Sequence, residues 1–174
     1  ANVVNPAQVR ELTAALQRAS AQGGWPPLLI AADQEGGQLM AVGEGATPFP
    51  GNLALGAAGS EELARRAGYA CGLELAAMGI NVNYAPVCDV LSNPANPAVG
   101  TRSFGDDPER VGRLSAAMVE GLQSAGVAAS AGTALARPSA ISTYCRSSAA
   151  TSSARPAFAR IVAPERAKPN FPAR

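Results

Sequence analysis

The side chains best suited to chemistry in this sequence lie just after two short apolar segments. Asp33 follows the run at residues 28–32, and Arg102 lies in the long loop after the segment at residues 80–87. A carboxylate accepts hydrogen bonds from hydroxyl groups and a guanidinium donates them, so Asp33 and Arg102 together could bind a hydroxyl-rich ligand such as a sugar. Glu35, two residues after Asp33, is interpreted as a brace for its own loop.

The same residues also allow a purely structural role. Asp33 could cap the tight turn at Gly36-Gly37, and Arg102 could pair with Asp106 or Asp89. The residue types alone leave both interpretations open.

Helices and strands that alternate along the chain must position these loops. N-cap residues predict three helices, which begin at Asn5-Pro6, Ser60-Glu61 and Asp107-Pro108 and end at Gly23-Gly24, Gly79 and Gly126. The first of them carries an amphipathic stripe of Val9, Leu12, Ala15, Leu16 and Ala19. Strands are predicted at residues 27–32, buried on both faces, at residues 80–87, and at residues 127–130.

This alternation predicts an α/β fold with a parallel sheet and right-handed crossovers. The residues leave two architectures open, a doubly wound sheet and part of a (β/α)8 barrel. A closed barrel needs roughly 250 residues, so 174 residues could supply only about half of one.

Composition excludes several classes of function for these 174 residues. There is no histidine, which excludes a Ser-His-Asp triad, a histidine-ligated metal and an imidazole proton shuttle. The three cysteines are widely spaced without a CxxC pair, so we expect free thiols rather than a zinc cluster or a disulfide framework. The glycine-rich segments lack the spacing of phosphate-binding loops, and no cofactor is expected.

The sequence contains neither a membrane-spanning run nor the layout of a signal peptide. We therefore expect no membrane partner and a cytoplasmic location.

Charge divides the chain into two parts. Residues 1–130 carry seven arginines against twelve acidic residues, a net charge of −5, whereas residues 131–174 carry six arginines and Lys168 against Glu165, a net charge of +6. The second part is rich in Ala, Ser, Pro and Arg and has no periodic apolar pattern, which predicts an irregular, disordered tail. Its arginines are scattered and barely interleaved with aromatic residues, so no nucleic-acid partner is expected.

Five motifs, in order, resemble the amino-terminal barrel of glycoside hydrolase family 3. They are LLIAADQEGG from Leu28, FPGNLALGA from Phe49, GINVNYAPVCDV from Gly79, NPANP from Asn93 and RSFGDDP from Arg102. The DQEGG and NPANP forms resemble the β-N-acetylhexosaminidase branch more than the β-glucosidases. The resemblance covers residues 1–130.

This resemblance implies a partial TIM (β/α)8 barrel and a hydrolase that releases terminal β-linked N-acetylglucosamine with retention, from amino-sugar glycosides or peptidoglycan-derived fragments. It implies that Asp33 and Arg102 bind hydroxyl groups of the terminal sugar and that Asp89 supports its loop at the rim. Gln38 departs from the family, which has arginine after the two glycines. A β-glucosidase-like member of the family and a non-catalytic sugar-binding fragment remain as alternatives.

The catalytic groups of the family are not among the matching motifs. The family uses an aspartate nucleophile and, in this branch, a His-Asp pair as acid/base. The segment that should carry the histidine reads AGTALARPS from Ala131, and the nucleophile would lie beyond Arg174. No catalytic residue is therefore expected in this chain, and no turnover.

A shift of reading frame accounts for the break near residue 130. Codons for residues 133–139 can be chosen so that reading one nucleotide later gives Gln-His-Leu-Pro-Gly-His, close to the missing family motif. We hypothesise that residues 131–174 are an out-of-frame tail.

Overall fold

The computed structural model describes residues 3–132, and residues 133–174, which make up nearly all of the predicted tail, lie outside this range. The α-helices of the described part are α1 (Pro6–Gln22), α2 (Asn52–Ala58), α3 (Glu61–Ala77) and α4 (Pro108–Ser124). The strands are β1 (Ala31–Ala32), β2 (Gln34–Gly36), β3 (Leu39–Met40), β4 (Val82–Asn83) and β5 (Ala128–Ala129). A 3-10 helix spans Gly100–Arg102.

Three of the strands form a parallel sheet in the order β1-β4-β5. Ala31 lies opposite Val82, which in turn lies opposite Ala128. Helices α2 and α3 connect β1 to β4, and α4 connects β4 to β5. The mixed α/β class predicted from the alternation is therefore confirmed, and the carboxyl ends of the three strands meet at one edge of the sheet.

The strands are shorter and more exposed than predicted. Only two residues of each parallel strand enter the ladder, although an isolated bridge joins Val87 to Gly132. The expectation that residues 27–32 are buried on both faces is wrong, since Leu29 is 83% exposed. Within the described residues β1 has β4 on one side and no strand on the other, so one flank of this segment has nothing to pack against.

Side-chain caps start three helices where the sequence predicts them. The Asn5 side chain accepts a hydrogen bond from the Gln8 amide at 2.9 Å, and Ser60 and Asp107 cap α3 and α4 in the same way. Each cap satisfies a backbone N–H that has no partner inside the helix. Helix α2 was not predicted, because it is only seven residues long and follows Gly51, which has no capping side chain.

The core lies largely between α3, α4 and the sheet. Helix α4 contributes buried Val111, Leu114, Met118 and Leu122 to this core. The apolar stripe of α1 is instead mostly exposed, with Leu12 and Leu16 at 38% and 42%. Helix α1 is held by buried Val9 and by Thr13, whose hydroxyl donates to the Met78 carbonyl at 2.7 Å.

Candidate functional site

The loops that follow β1 and β4 meet at the carboxyl edge of the sheet, where they bring Glu35 and Arg102 together. Arg102 Nε donates to Glu35 Oε2 at 2.9 Å, and Arg102 Nη2 donates to Glu35 Oε1 at 2.8 Å. Arg102 Nη1 donates to the Ala98 carbonyl at 2.9 Å. A bidentate pair of this kind fixes the plane of the guanidinium as well as its position.

Burial distinguishes this pair from the other ion pairs of the described residues. The Glu35 side chain is 4% exposed and the Arg102 side chain 23%, whereas each partner in the pairs of Arg65 and Arg113 is at least 41% exposed. The hydrogen bonds that Arg102 donates to Glu35 raise the pKa of Arg102 above its ordinary value, against the opposing effect of burial. The negative charges of Glu35, Asp89 and Asp33 act in the same upward direction.

Both structural roles considered for the predicted site residues are corrected. Arg102 forms its ion pair with Glu35, not with Asp106 or Asp89. The turn after β2 is held by the Gly37 amide, which donates to the Phe49 carbonyl at 2.8 Å, rather than by a cap from Asp33. Asp33 is exposed, and its backbone carbonyl accepts from the Ala41 amide at 3.0 Å.

Two buried amide side chains, which the sequence analysis did not single out, fix the loop that carries Asp33 and Glu35. Asn83 Oδ1 accepts from the Gln34 amide at 3.0 Å, and Asn83 Nδ2 donates to the Gln34 carbonyl at 2.9 Å. The Gln34 side chain bonds both the amide and the carbonyl of Val42, at 3.0 and 2.9 Å. Polar residues inside predicted strands and loops are the signal that could have revealed this network.

The loop that carries Arg102 has its own anchors. Asn52 Nδ2, in the first turn of α2, donates to the Arg102 carbonyl at 2.8 Å. The Ser103 hydroxyl donates to the Asp89 carbonyl, which ties the loop after β4 to the 3-10 helix. The Asp89 backbone therefore lies beside the residue that follows Arg102, and Asp89 is buried.

A glycine lets the two loops approach each other. Gly37 has φ 61°, and a Cβ atom at this position would lie 2.8 Å from the Gly51 Cα atom. A side chain would therefore strain the backbone and push α2 away. Beside this contact is an open cavity of about 480 Å³ lined by Gly37, Gly51, Leu53, Ala54, Ala57 and Thr101.

Neither a metal centre nor a membrane segment is found among residues 3–132. No cluster of three or more acidic or cysteine side chains in this range could hold a metal ion. None of its helices is both long enough and apolar enough to cross a bilayer.

The fold and the placement of the polar loops are those of an α/β domain with a site at the carboxyl edge of a parallel sheet. The family model for the Glycosyl hydrolase family 3 N terminal domain matches residues 1–132. The chain belongs to this family.

Relatives and solved structures agree with this assignment. The chain is 45% identical over 131 residues to beta-hexosaminidase A of Pseudoalteromonas piscicida, a match that covers 72% of this chain and 22% of that protein. It is 46% identical over 105 residues to a beta-N-acetylglucosaminidase/beta-glucosidase of Cellulomonas fimi, covering 60% and 18%. A glycoside hydrolase family 3 beta-N-acetylglucosaminidase from Paenibacillus sp. str. FPU-7 superposes with a TM-score of 0.71 at 51% identity, covering 72% and 24%.

The matched part of the chain spans less than a quarter of each of these three proteins. The family includes glycosidases, among them the hexosaminidase and the N-acetylglucosaminidases named above.

Proposed function

We propose that this chain derives from a β-N-acetylhexosaminidase, a hydrolase that releases terminal β-linked N-acetylglucosamine with retention. The observation that carries the proposal is the guanidinium of Arg102, which Glu35 holds at the same edge of the sheet as the exposed carboxylate of Asp33. The names of two of the similar proteins, a hexosaminidase and an N-acetylglucosaminidase, favour an amino-sugar substrate.

Arg102 and Asp33 have complementary tasks in this proposal. A guanidinium has five N–H groups, and three of those on Arg102 donate to Glu35 and Ala98. The other two are directed away from the Glu35 carboxylate and serve as donors to sugar hydroxyl oxygens. Asp33 accepts from sugar hydroxyl groups, so the two side chains bind and orient the terminal sugar without taking part in bond cleavage.

The described residues are proposed to be the first part of a TIM (β/α)8 barrel. Three parallel strands joined by helical crossovers, with an unpaired β1 edge in the described range, support this architecture. The family domain would then occupy residues 1–130, and residues 131–174 would be an unrelated basic tail produced by a frameshift. Sequencing the coding DNA tests the frameshift, which requires the histidine motif and the nucleophile region to appear in another frame.

A polypeptide of these 174 residues is proposed to have no turnover. The chain contains no histidine, and the resemblance places the aspartate nucleophile beyond Arg174. Losing both the nucleophile and the acid/base group leaves only the effect of binding, which is smaller by several orders of magnitude.

The decisive assay measures release of a chromogenic phenol from its β-N-acetylglucosaminide. The 174-residue chain is compared with a version continued in the restored reading frame. Activity in the restored version alone is the expected result. Activity in both would refute the proposed location of the catalytic groups, and activity in neither would refute the hexosaminidase assignment or the frameshift.

A β-glucosidase-like activity is the second candidate, because the Cellulomonas fimi relative is named for both reactions. The restored version separates the two when the phenyl β-glucoside and the β-N-acetylglucosaminide are compared. A higher kcat/KM for the glucoside would favour this alternative. Binding of N-acetylglucosamine without turnover of either substrate would favour a sugar-binding fragment.

Peptidoglycan-derived fragments are proposed as natural ligands, since they carry N-acetylglucosamine. A cytoplasmic location is also proposed, and cell fractionation tests it.

A further inference from the structure

The charge at the candidate site is set by more than the two residues that are proposed to touch sugar. Of the three ion-paired arginines of the described residues, only Arg102 lies at this edge of the sheet, because Arg65 and Arg113 pair with glutamates on α3 and α4. Glu35 already neutralises Arg102 through two hydrogen bonds.

Two further carboxylates lie close to this neutral pair. Asp33 precedes Glu35 by two residues on the same loop. The Asp89 backbone carbonyl accepts from the Ser103 hydroxyl, so Asp89 lies beside the residue that follows Arg102. The negative charges of both Asp33 and Asp89 act on the Arg102 guanidinium, so the Glu35–Arg102 pair lies in a negative electrostatic environment.

We propose that Glu35 is a positioning and specificity-determining residue, which orients Arg102 and keeps the site closed to anionic sugars. The inference rests on the proposed sugar-binding function and narrows its substrate class to neutral or amine-bearing terminal sugars. Without Glu35, the Arg102 side chain would lose the two hydrogen bonds that hold it, and the site would lose one of its negative charges. A guanidinium that is free to reorient binds phosphate and carboxylate groups.

Orientation and charge are separable properties of Glu35. Its carboxylate accepts hydrogen bonds from Nε and Nη2 of Arg102, which holds the remaining N–H groups of the guanidinium in one orientation. Glu35→Asp keeps the charge but shortens the side chain by one methylene. Glu35→Gln keeps the length but removes the charge.

The experiment titrates the 174-residue chain with neutral N-acetylglucosamine and with anionic N-acetylglucosamine 6-phosphate, followed by NMR chemical shifts. The native chain should bind the neutral sugar at least about tenfold more tightly than the phosphate, the effect of one unscreened charge at short range. Glu35→Gln should lower this discrimination about tenfold. Glu35→Asp should keep the discrimination but weaken the binding of both sugars.

Glu11→Gln on the exposed side of α1 is the matched control, because it changes the net charge equally without touching the site. It should leave the discrimination unchanged. If Glu35 only held its loop in place, Glu35→Gln would weaken the binding of both sugars by the same factor. That result would overturn the proposal.

A second readout does not depend on sugar binding. The Nε–H resonance of Arg102 should be protected from exchange in the native chain, because it donates to a 4% exposed carboxylate. The protection should be lost in Glu35→Asp, because the shorter side chain withdraws the carboxylate from Nε. An unprotected resonance in the native chain would overturn the positioning role.

If the native chain bound neither sugar, that result would contradict the proposed function. It would also contradict the proposed role of Glu35 in excluding anionic sugars. A protected Nε–H resonance would then still support the positioning role. The two failures are therefore distinguishable.

Discussion

Glu35 and Arg102 are 67 residues apart in the sequence and form a bidentate ion pair at the carboxyl edge of the sheet. The pair joins the loop after β1 to the 3-10 helix, so it stabilises the relative position of the two segments that carry the candidate site. The Glu35 side chain is almost fully buried. If the arginine were removed, few water molecules could hydrogen-bond to the Glu35 carboxylate in its place.

Removing the arginine should therefore destabilise the fold. Arg102→Met leaves a buried carboxylate without its partner, and the free energy of unfolding should fall by about 2–3 kcal/mol. Arg65→Met is the control, since its ion pairs with Glu62 and Glu120 are exposed and the change should be below about 1 kcal/mol. Urea denaturation measures both, and equal losses would contradict a special role for the buried pair.

The helices around this pair were predictable where neighbouring residues in the sequence specify their first turn. Asn5, Ser60 and Asp107 begin helices because a side-chain oxygen satisfies an N–H of the first turn, which depends only on neighbouring residues. The carboxyl-edge location of Asp33 and Arg102 followed from the alternation of strands and helices.

The partner of Arg102 was not predictable in this way. Asp106 and Asp89 are nearer in sequence than Glu35, but the pairing depends on how two loops meet in space. The exposure of Leu12 and Leu16 was not predictable for the same reason. Periodicity identifies an apolar face of a helix but does not show which other segment covers it.

The contact between α3 and α4 gives a second prediction. A Cβ atom on Gly121 would overlap the carbonyl oxygen of Arg65, whereas nothing lies within 4 Å of a Cβ atom on Gly112 in the same helix. Gly121→Ala should lower the free energy of unfolding by roughly 1–3 kcal/mol through overpacking. Gly112→Ala should raise it by about 0.4–1 kcal/mol, because alanine restricts the unfolded chain.

Thermal or urea unfolding of the two variants provides the measurement. Opposite signs are the expected result. A Gly121→Ala variant as stable as Gly112→Ala would mean that the helices pack less closely than described.

The pH dependence of stability should report the buried thiol of Cys71. Burial raises its pKa from the ordinary 9.0 to about 12, and the negative charge of Glu74 contributes in the same direction. Between these values the thiol ionises in the unfolded chain but stays protonated in the folded one, so the free energy of unfolding falls as pH rises. From pH 8 to pH 10 this contribution should amount to about 1.4 kcal/mol.

Cys71→Ala removes the contribution and serves as the reference, since other groups also titrate in this range. The native chain should lose about 1.4 kcal/mol more than the variant over the same interval. Parallel pH profiles for the two proteins would contradict the burial of this thiol.

The exposed flank of β1 gives the last prediction. Leu29 is 83% exposed and Trp25 is 72% exposed, next to a strand edge that is unpaired within the described residues. Exposed apolar residues beside an open edge favour association between chains. We expect the native chain to self-associate and Leu29→Lys to weaken that association, because the lysine places a hydrated charge on the contact surface.

Sedimentation velocity over a range of concentrations measures this effect. Ala76→Lys, an equal change of charge at an exposed position of α3, is the matched control and should associate like the native chain. Leu29→Lys should leave the free energy of unfolding within about 0.5 kcal/mol of the native value, since the leucine makes few contacts. A monomeric native chain, or equal association of both variants, would show that this flank is not the contact surface, and the first result would also weigh against an open partial barrel.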